Sequence, residues 1–283
     1  LRLNTIFKIF LIILFANSLS SSQNIQSAGE SGIPLISNYL PKNYYANVQN
    51  WASLQDKRGV MYFANGEGVL EYDGVNWRLI NVPNDLVRCL AIDDDGIIYV
   101  GGINEIGYLS ADSTGLLKYA SLNKLISKDI PDFGDVWRII VNPDGLYFQT
   151  FSSLFLIESI KEKNASFLNG VLKNHFIKRW ESRTRFNPIH SLENRIFVHE
   201  RNVGLQELVD GKLTLLKGGE EFAQDLICII LPFPPPKVKS SKIPTRILIG
   251  SLRRGLFLYD GTKFEKFNNE ADNYLIENRL YFR

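Results

Sequence analysis

Gly68-Val69-Leu70-Glu71-Tyr72-Asp73-Gly74-Val75-Asn76-Trp77 returns in degenerate form as Gly255-Leu256-Phe257-Leu258-Tyr259-Asp260-Gly261-Thr262-Lys263-Phe264. In both, a glycine opens an alternating apolar strand that ends in Asp-Gly, and a second apolar strand follows. Asp-Gly between alternating hydrophobic residues is a strong hairpin signal, because a tight turn needs residues that accept positive φ. Gly204-Leu205-Gln206-Glu207-Leu208-Val209-Asp210-Gly211 is a third copy, with one extra residue before its Asp-Gly.

A second hairpin precedes the first. Val87 to Ile92, Asp95-Gly96 and Ile97-Ile98-Tyr99-Val100-Gly101 match Val136 to Val141, Asp144-Gly145 and Leu146-Tyr147-Phe148-Gln149-Thr150. Weaker copies are Trp51 to Leu54 with Arg58-Gly59 and Val60 to Ala64, and Ile189 to Leu192 with Ile196 to His199. The unit is therefore strand, tight turn, strand, a small residue, then a third and a fourth strand. Its recurrence at roughly 37 to 51 residues is about the period of propeller blades. A β-sandwich does not explain recurrence of one four-strand unit, and a β-solenoid uses parallel strands rather than Asp-Gly hairpins.

These patterns predict an all-β fold, a β-propeller of four-stranded antiparallel blades. Blades fall at about 46–84, 85–133, 134–180, 181–222 and 223–270, and 271–283 opens the next. Tyr274 to Arg283 reads as strand, turn and second strand of that sixth blade, so the ring is expected to be incomplete and open. Three stretches break the rhythm: Ser121 to Phe133 (a loop with a helical turn), Ser159 to Arg185 (long and basic, a strand plus an insertion), and Leu231 to Pro244. The last holds Pro232, Pro234, Pro235, Pro236 and Pro244, which forbid ladder pairing, and reads as an exposed loop.

At the N-terminus, Arg2 and Lys8 flank or interrupt an apolar run, Ile9 to Ala16, followed by the small and polar stretch Asn17 to Ser22. These are the parts of a secretory signal peptide, here 1–22, with 23–45 an N-terminal extension. The run is shorter than the ~20 apolar residues that span a bilayer; an uncleaved N-terminal anchor is the alternative. With 45% hydrophobic and 22% charged residues the chain can bury a core, and a formal net charge of +2 gives no electrostatic case for nucleic acid. Cys89 and Cys228 each sit in an apolar run and read as small buried hydrophobes rather than as a disulfide.

No catalytic constellation is legible. His175, His190 and His199 lack a second ligand at metal spacing, so no metal is expected. Asp93-Asp94-Asp95-Gly96 lacks the longer ligand series of an EF-hand and reads as an acidic turn. Gly101-Gly102 is followed by no helix and no Gly-Lys-Ser/Thr, which removes a phosphate loop, and no cofactor is expected. Asn164-Ala165-Ser166 fits a glycosylation acceptor, a pattern common by chance. Candidate ligand contacts come instead from geometry, since the innermost strand of each blade lines the central channel. Those first strands carry Trp51, Arg88, Trp137, Arg138 and His190, whose aromatic faces and guanidinium forks suit sugars or anions; packing between blades is the alternative use of the large aromatics.

The stretches Gly59 to Gly74 and Gly250 to Gly261 resemble two-component regulator propeller repeats, most closely over Asn50 to Ile80 and Ile98 to Leu109. That family forms the periplasmic sensor regions of bacterial hybrid histidine kinases and membrane-bound helix-turn-helix regulators, especially in Bacteroidetes. The resemblance runs over about residues 32–283. It implies two propellers in tandem, a small β-sandwich, a membrane helix and a cytoplasmic output module, with dimerisation through those missing parts; kinase activity is not assigned to these residues. Three functions follow as expectations. The first is an extracytoplasmic ligand-sensing region for a small molecule or oligosaccharide, working with downstream domains of one receptor in the inner membrane. The others are a secreted propeller lyase or hydrolase and an envelope protein-interaction propeller. In a Gram-negative host the protein should be exported with loss of roughly its first 20 residues. Mass spectrometry of the fractions checks this, and an intact N-terminus in the cytoplasm contradicts it.

Overall fold

Each apolar run of the repeat is a strand paired antiparallel to the next in the computed structural model, which describes residues 36–126, 132–158, 177–233 and 246–279. The first sheet takes β1 (Asn50–Gln55), β2 (Met61–Asn65), β3 (Gly68–Tyr72) and β4 (Trp77–Ile80), and the second β5 (Val87–Ile92), β6 (Ile98–Gly102), β7 (Glu105–Ala111) and β8 (Leu117–Ser121). The third takes β9 (Arg138–Asn142), β10 (Gly145–Gln149), β11 (Ser153–Glu158) and β12 (Ile177–Glu181). The fourth takes β13 (His190–Leu192), β14 (Arg195–Glu200), β15 (Gly204–Val209) and β16 (Lys212–Leu215). The fifth takes β17 (Ile227–Phe233), β18 (Arg246–Ser251), β19 (Gly255–Tyr259) and β20 (Phe264–Lys266). Strand order within every sheet follows the sequence. The fold is all-β, a propeller of four-stranded antiparallel blades.

The blades are held by burial on both faces. Every residue of β6 and of β10 is buried. Successive side chains point to opposite faces, so such a strand needs a neighbour on each side. Along β10, Leu146 and Phe148 enter the core shared with the second blade, beside Tyr99, Ile106 and Phe155. Tyr147 between them points the other way, into the core shared with the fourth blade, with Leu156, Phe186 and Val198. Tyr62, Val69, Val100 and Leu109 join the first two blades, and Phe197, Leu205, Phe222, Ile249 and Phe257 the last two.

In the first two blades the turn between the first two strands is fastened by one aspartate. Asp56 Oδ1 accepts the N–H groups of Arg58 and Val60 at 2.9 and 3.1 Å. Asp93 Oδ1 accepts that of Ile97 at 2.8 Å. Gly59 and Gly96, three residues on, close these turns at φ +90° and +86°, where a side chain is strained. A tyrosine six residues after the aspartate returns its hydroxyl to the same carboxylate: Tyr62 to Asp56 at 3.4 Å and Tyr99 to Asp93 at 3.0 Å. In the third blade Tyr147, only three residues after Asp144, donates to that carboxylate at 2.6 Å. Burial, then the adjacent carboxylate, drives the Tyr99 hydroxyl pKa well above its ordinary value, so the phenol stays a donor. The anchor of the acidic run 93–95 is thus its first residue. The glycine that opens the third strand has a separate cause: Gly68 lies at φ +139° with the Ile80 carbonyl of β4 where a Cβ would stand.

Two expectations fail. Asp272–Glu277, within the stretch read as a sixth-blade strand, is a helix. Asn269 Oδ1 accepts the N–H of Ala271 at 2.9 Å ahead of it, and Asp272 places negative charge in its first turn. Leu231–Phe233, read as loop, completes β17, with Pro232 opposite Ile247. β17 is the first strand of its sheet, bonded on one side only, and a proline is tolerated there. The helical turn of the first interruption is present at Asn123–Ile126. The signal peptide 1–22, most of the extension to 45, His175, the glycosylation pattern, Pro234 to Pro244 and the last four residues lie outside the described residues.

Asp93→Ala removes the acceptor of the Ile97 N–H and the Tyr99 hydroxyl, and Tyr99 is 0% exposed. The variant should be destabilised by about 1–3 kcal/mol, read as a lower urea midpoint; an unchanged midpoint contradicts the anchor.

Candidate functional site

Three of the five innermost strands break register at their second residue. The pairing of β1 with β2 shifts at Trp51, that of β5 with β6 at Arg88, and that of β17 with β18 at Cys228. A bulge adds a residue outside the ladder and re-aims its side chain. Trp137 holds the matching place ahead of β9, donating its N–H to Gln149 O at 2.9 Å; ahead of β13, Asn187 donates to His199 O at 2.9 Å. Trp51, Arg88, Trp137 and Asn187 line one cavity of about 360 Å³ with Ala52, Arg138, Phe151, Arg185 and Pro188 among their neighbours.

A continuous run of ring and guanidinium contacts forms its wall. The Arg88 guanidinium lies 4.0 Å from the Trp51 ring centroid and 4.5 Å from that of Trp137. The two indoles meet edge to face, 6.0 Å apart at 84°. Trp137 stacks on Phe151 at 4.8 Å, and the Arg185 guanidinium covers Phe151 at 3.6 Å. Each such contact contributes from about 0.5 kcal/mol when exposed to about 2 kcal/mol when desolvated. Asp135 Oδ2 accepts Arg88 Nε and Nη2 at 3.2 and 2.9 Å, which fixes the side chain that fills the corner between the indoles.

Burial decides the charge states around the cavity. It lowers the Arg138 pKa, against the opposing pull of Cys89. It pushes the Cys89 thiol up to about 12, so that sulfur is neither a thiolate nor a nucleophile at neutral pH. Of the five residues expected from sequence, Trp51, Arg88, Trp137 and Arg138 line the cavity together, and His190, though near Arg138, is not part of that lining. His190 is paired opposite Phe197 in β13, with Nε2 3.4 Å from Ile227 O. Regular pairing in this blade begins only at His190, after Pro188, so Asn187 rather than the histidine falls at the cavity position. Asn187 Nδ2 lies 2.6 Å from His199 Nδ1, and His199 Nε2 lies 2.8 Å from Phe222 O. That arrangement assigns the donor proton to Nε2 and the acceptor lone pair to Nδ1. Phe151 and Arg185 were missed as well. Both lie outside strands, where neither alternation nor the repeat marks them.

The other ends of the same strands border a second cavity, of about 400 Å³, lined by Asp93, Asp94, Asp95, Asn142, Pro143 and Asn194. The two ends differ in sign, with guanidinium groups at one and carboxylates at the other. Among the described residues, no helix is long and apolar enough to cross a membrane.

No family model matches the chain, and no curated protein sequence matches it. Solved structures do resemble it. The extracellular domain of a one component system from B. thetaiotaomicron aligns at TM-score 0.54 and 16% identity, over 80% of this chain and 28% of that one. The extracellular domain of a hybrid two component system from B. thetaiotaomicron aligns at TM-score 0.48 and 17% identity, over 80% and 34%. Catalytically inactive virginiamycin B lyase from Staphylococcus aureus, with Quinupristin, aligns at TM-score 0.53 and 14% identity, over 82% and 73%. At these identities the likeness is one of fold. The chain spans about a third of the length of the extracellular domains.

His190 supplies a test of the buried register. Burial, then the nearby Arg138 charge, lowers its pKa to about 4, whereas in the unfolded chain histidine titrates near ~6.5. Between those values the unfolded state binds more protons, so stability present at neutral pH is lost as pH falls from 6.5 toward 4. His190→Gln should flatten that dependence in urea titrations at stepped pH, leaving the share of His199, whose pKa burial also lowers. Identical slopes in parent and variant contradict it.

Proposed function

We propose that the chain is the ligand-binding propeller region of a bacterial extracytoplasmic sensor. Its ligand, a small molecule or short oligosaccharide, occupies the cavity at the bulged ends of the innermost strands. The observation that carries this is the wall itself, in which Trp51 and Arg88 from two blades meet Trp137, Phe151 and Arg185 in one unbroken stack. Ring faces and guanidinium forks hold ligands. Beside them the Cys89 thiol is kept protonated, which favours binding over covalent turnover.

The repeats' resemblance to two-component regulator propellers supports the sensor reading, as does the fold shared with the one component system's extracellular domain. Both favour placement outside the cytoplasm, with export by residues 1–22 and signalling through domains downstream in the same receptor. The fold shared with the lyase makes a turnover assay the discriminating control.

A calorimetric screen of saccharides and small metabolites tests the proposal. Trp137→Ala and Arg88→Ala, each checked for a native circular dichroism spectrum, should weaken the best ligand at least about tenfold, or about 1.4 kcal/mol. Unchanged affinity in both variants overturns the site, and conversion of the ligand during titration overturns the sensor reading.

A further inference from the structure

Three guanidinium groups line the cavity, those of Arg88, Arg138 and Arg185, and among the described residues no carboxylate does. Arg88 has its counter-charge behind the wall, in Asp135. Arg185 makes no ion pair among the described residues: its plane is spent on the Phe151 ring at 3.6 Å, and stacking leaves the in-plane N–H donors available. Arg138 adds a third positive charge that burial disfavours. Arg185 itself is exposed, so its attraction for an anion is open to screening by salt. The volume of about 360 Å³ lies toward the small end of the ~300–1,000 Å³ of ligand pockets, which suits a body of one or two rings.

From this we infer that the ligand is an acid carried on a ring. The ring packs against the edges of Trp137 and Phe151, whose faces are taken by each other and by Arg88 and Arg185, and an anionic oxygen group takes the Arg185 fork. The inference rests on the cavity being the ligand site and adds the charge of what enters it. Arg88, already bonded to Asp135, is a positioning residue: it sets the angle between the two indoles.

Titrating the full chain with two matched pairs, glucuronate against glucose and benzoate against benzyl alcohol, tests the charge and identifies the ring. Calorimetry and tryptophan fluorescence give the readout. One acid should bind on the order of tenfold more tightly than its neutral partner, the value of a charge-assisted hydrogen bond. Raising the salt should erode that preference. Arg185→Ala should abolish it, and Arg185→Lys should restore part. A neutral member binding as tightly as its acid overturns the inference while leaving the ligand site in place. Saturation by neither acid also overturns it, and the site itself then stands or falls on the Trp137→Ala result in the unbiased screen.

Discussion

A strand buried along its whole length cannot lie at a surface, and β6 and β10 are such strands. Each blade must therefore be covered on both faces, and cores of large side chains, such as Phe148 stacked on Phe155 at 4.7 Å, are shared between consecutive blades rather than belonging to one. Stability then accrues between neighbours, as in other repeat arrays. The same constraint leaves the innermost strands as the part with freedom. Their first residues pair on one side only, so a bulge there costs little packing, and Trp51 and Arg88 can be turned toward the axis.

The cavity follows from that arrangement because no single blade owns it. Trp51 comes from the first blade, Arg88 from the second, Trp137 and Phe151 from the third, and Arg185 and Asn187 from the chain entering the fourth. The wall is thus shared by four blades, so the way those blades pack sets its shape. Asn187 extends the contact further, through His199 to the Phe222 carbonyl at the approach to the fifth blade.

How much of this was legible in the sequence depended on which physical rule governed each residue. Alternation and the Asp-Gly turns marked the four-strand unit, because φ > 0 and burial on a pleated sheet restrict residue choice locally. Trp51, Arg88, Trp137 and Arg138 were legible as first-strand residues for the same reason. His190 was misplaced because the strand of the fourth blade is short and Pro188 shifts where regular pairing starts. Phe151 and Arg185 lie in connections, whose positions are set by the blades they join and not by any periodicity. The aspartate anchor was half visible: the acidic turn at 93–95 stood out, but that Asp93 rather than Asp95 fastens it depends on Tyr99, six residues on. At Asp272–Glu277 short-range hydrogen bonds won over a β-like composition.

The ligand is proposed to enter at the guanidinium and indole end of the first strands. A crystal structure of the protein with the tightest ligand from an unbiased screen tests it most directly. The expected density lies against Trp137, Phe151 and Arg185. Density at the other end, among Asp94, Asn142 and Asn194, or on the outer edge of a blade, would contradict it.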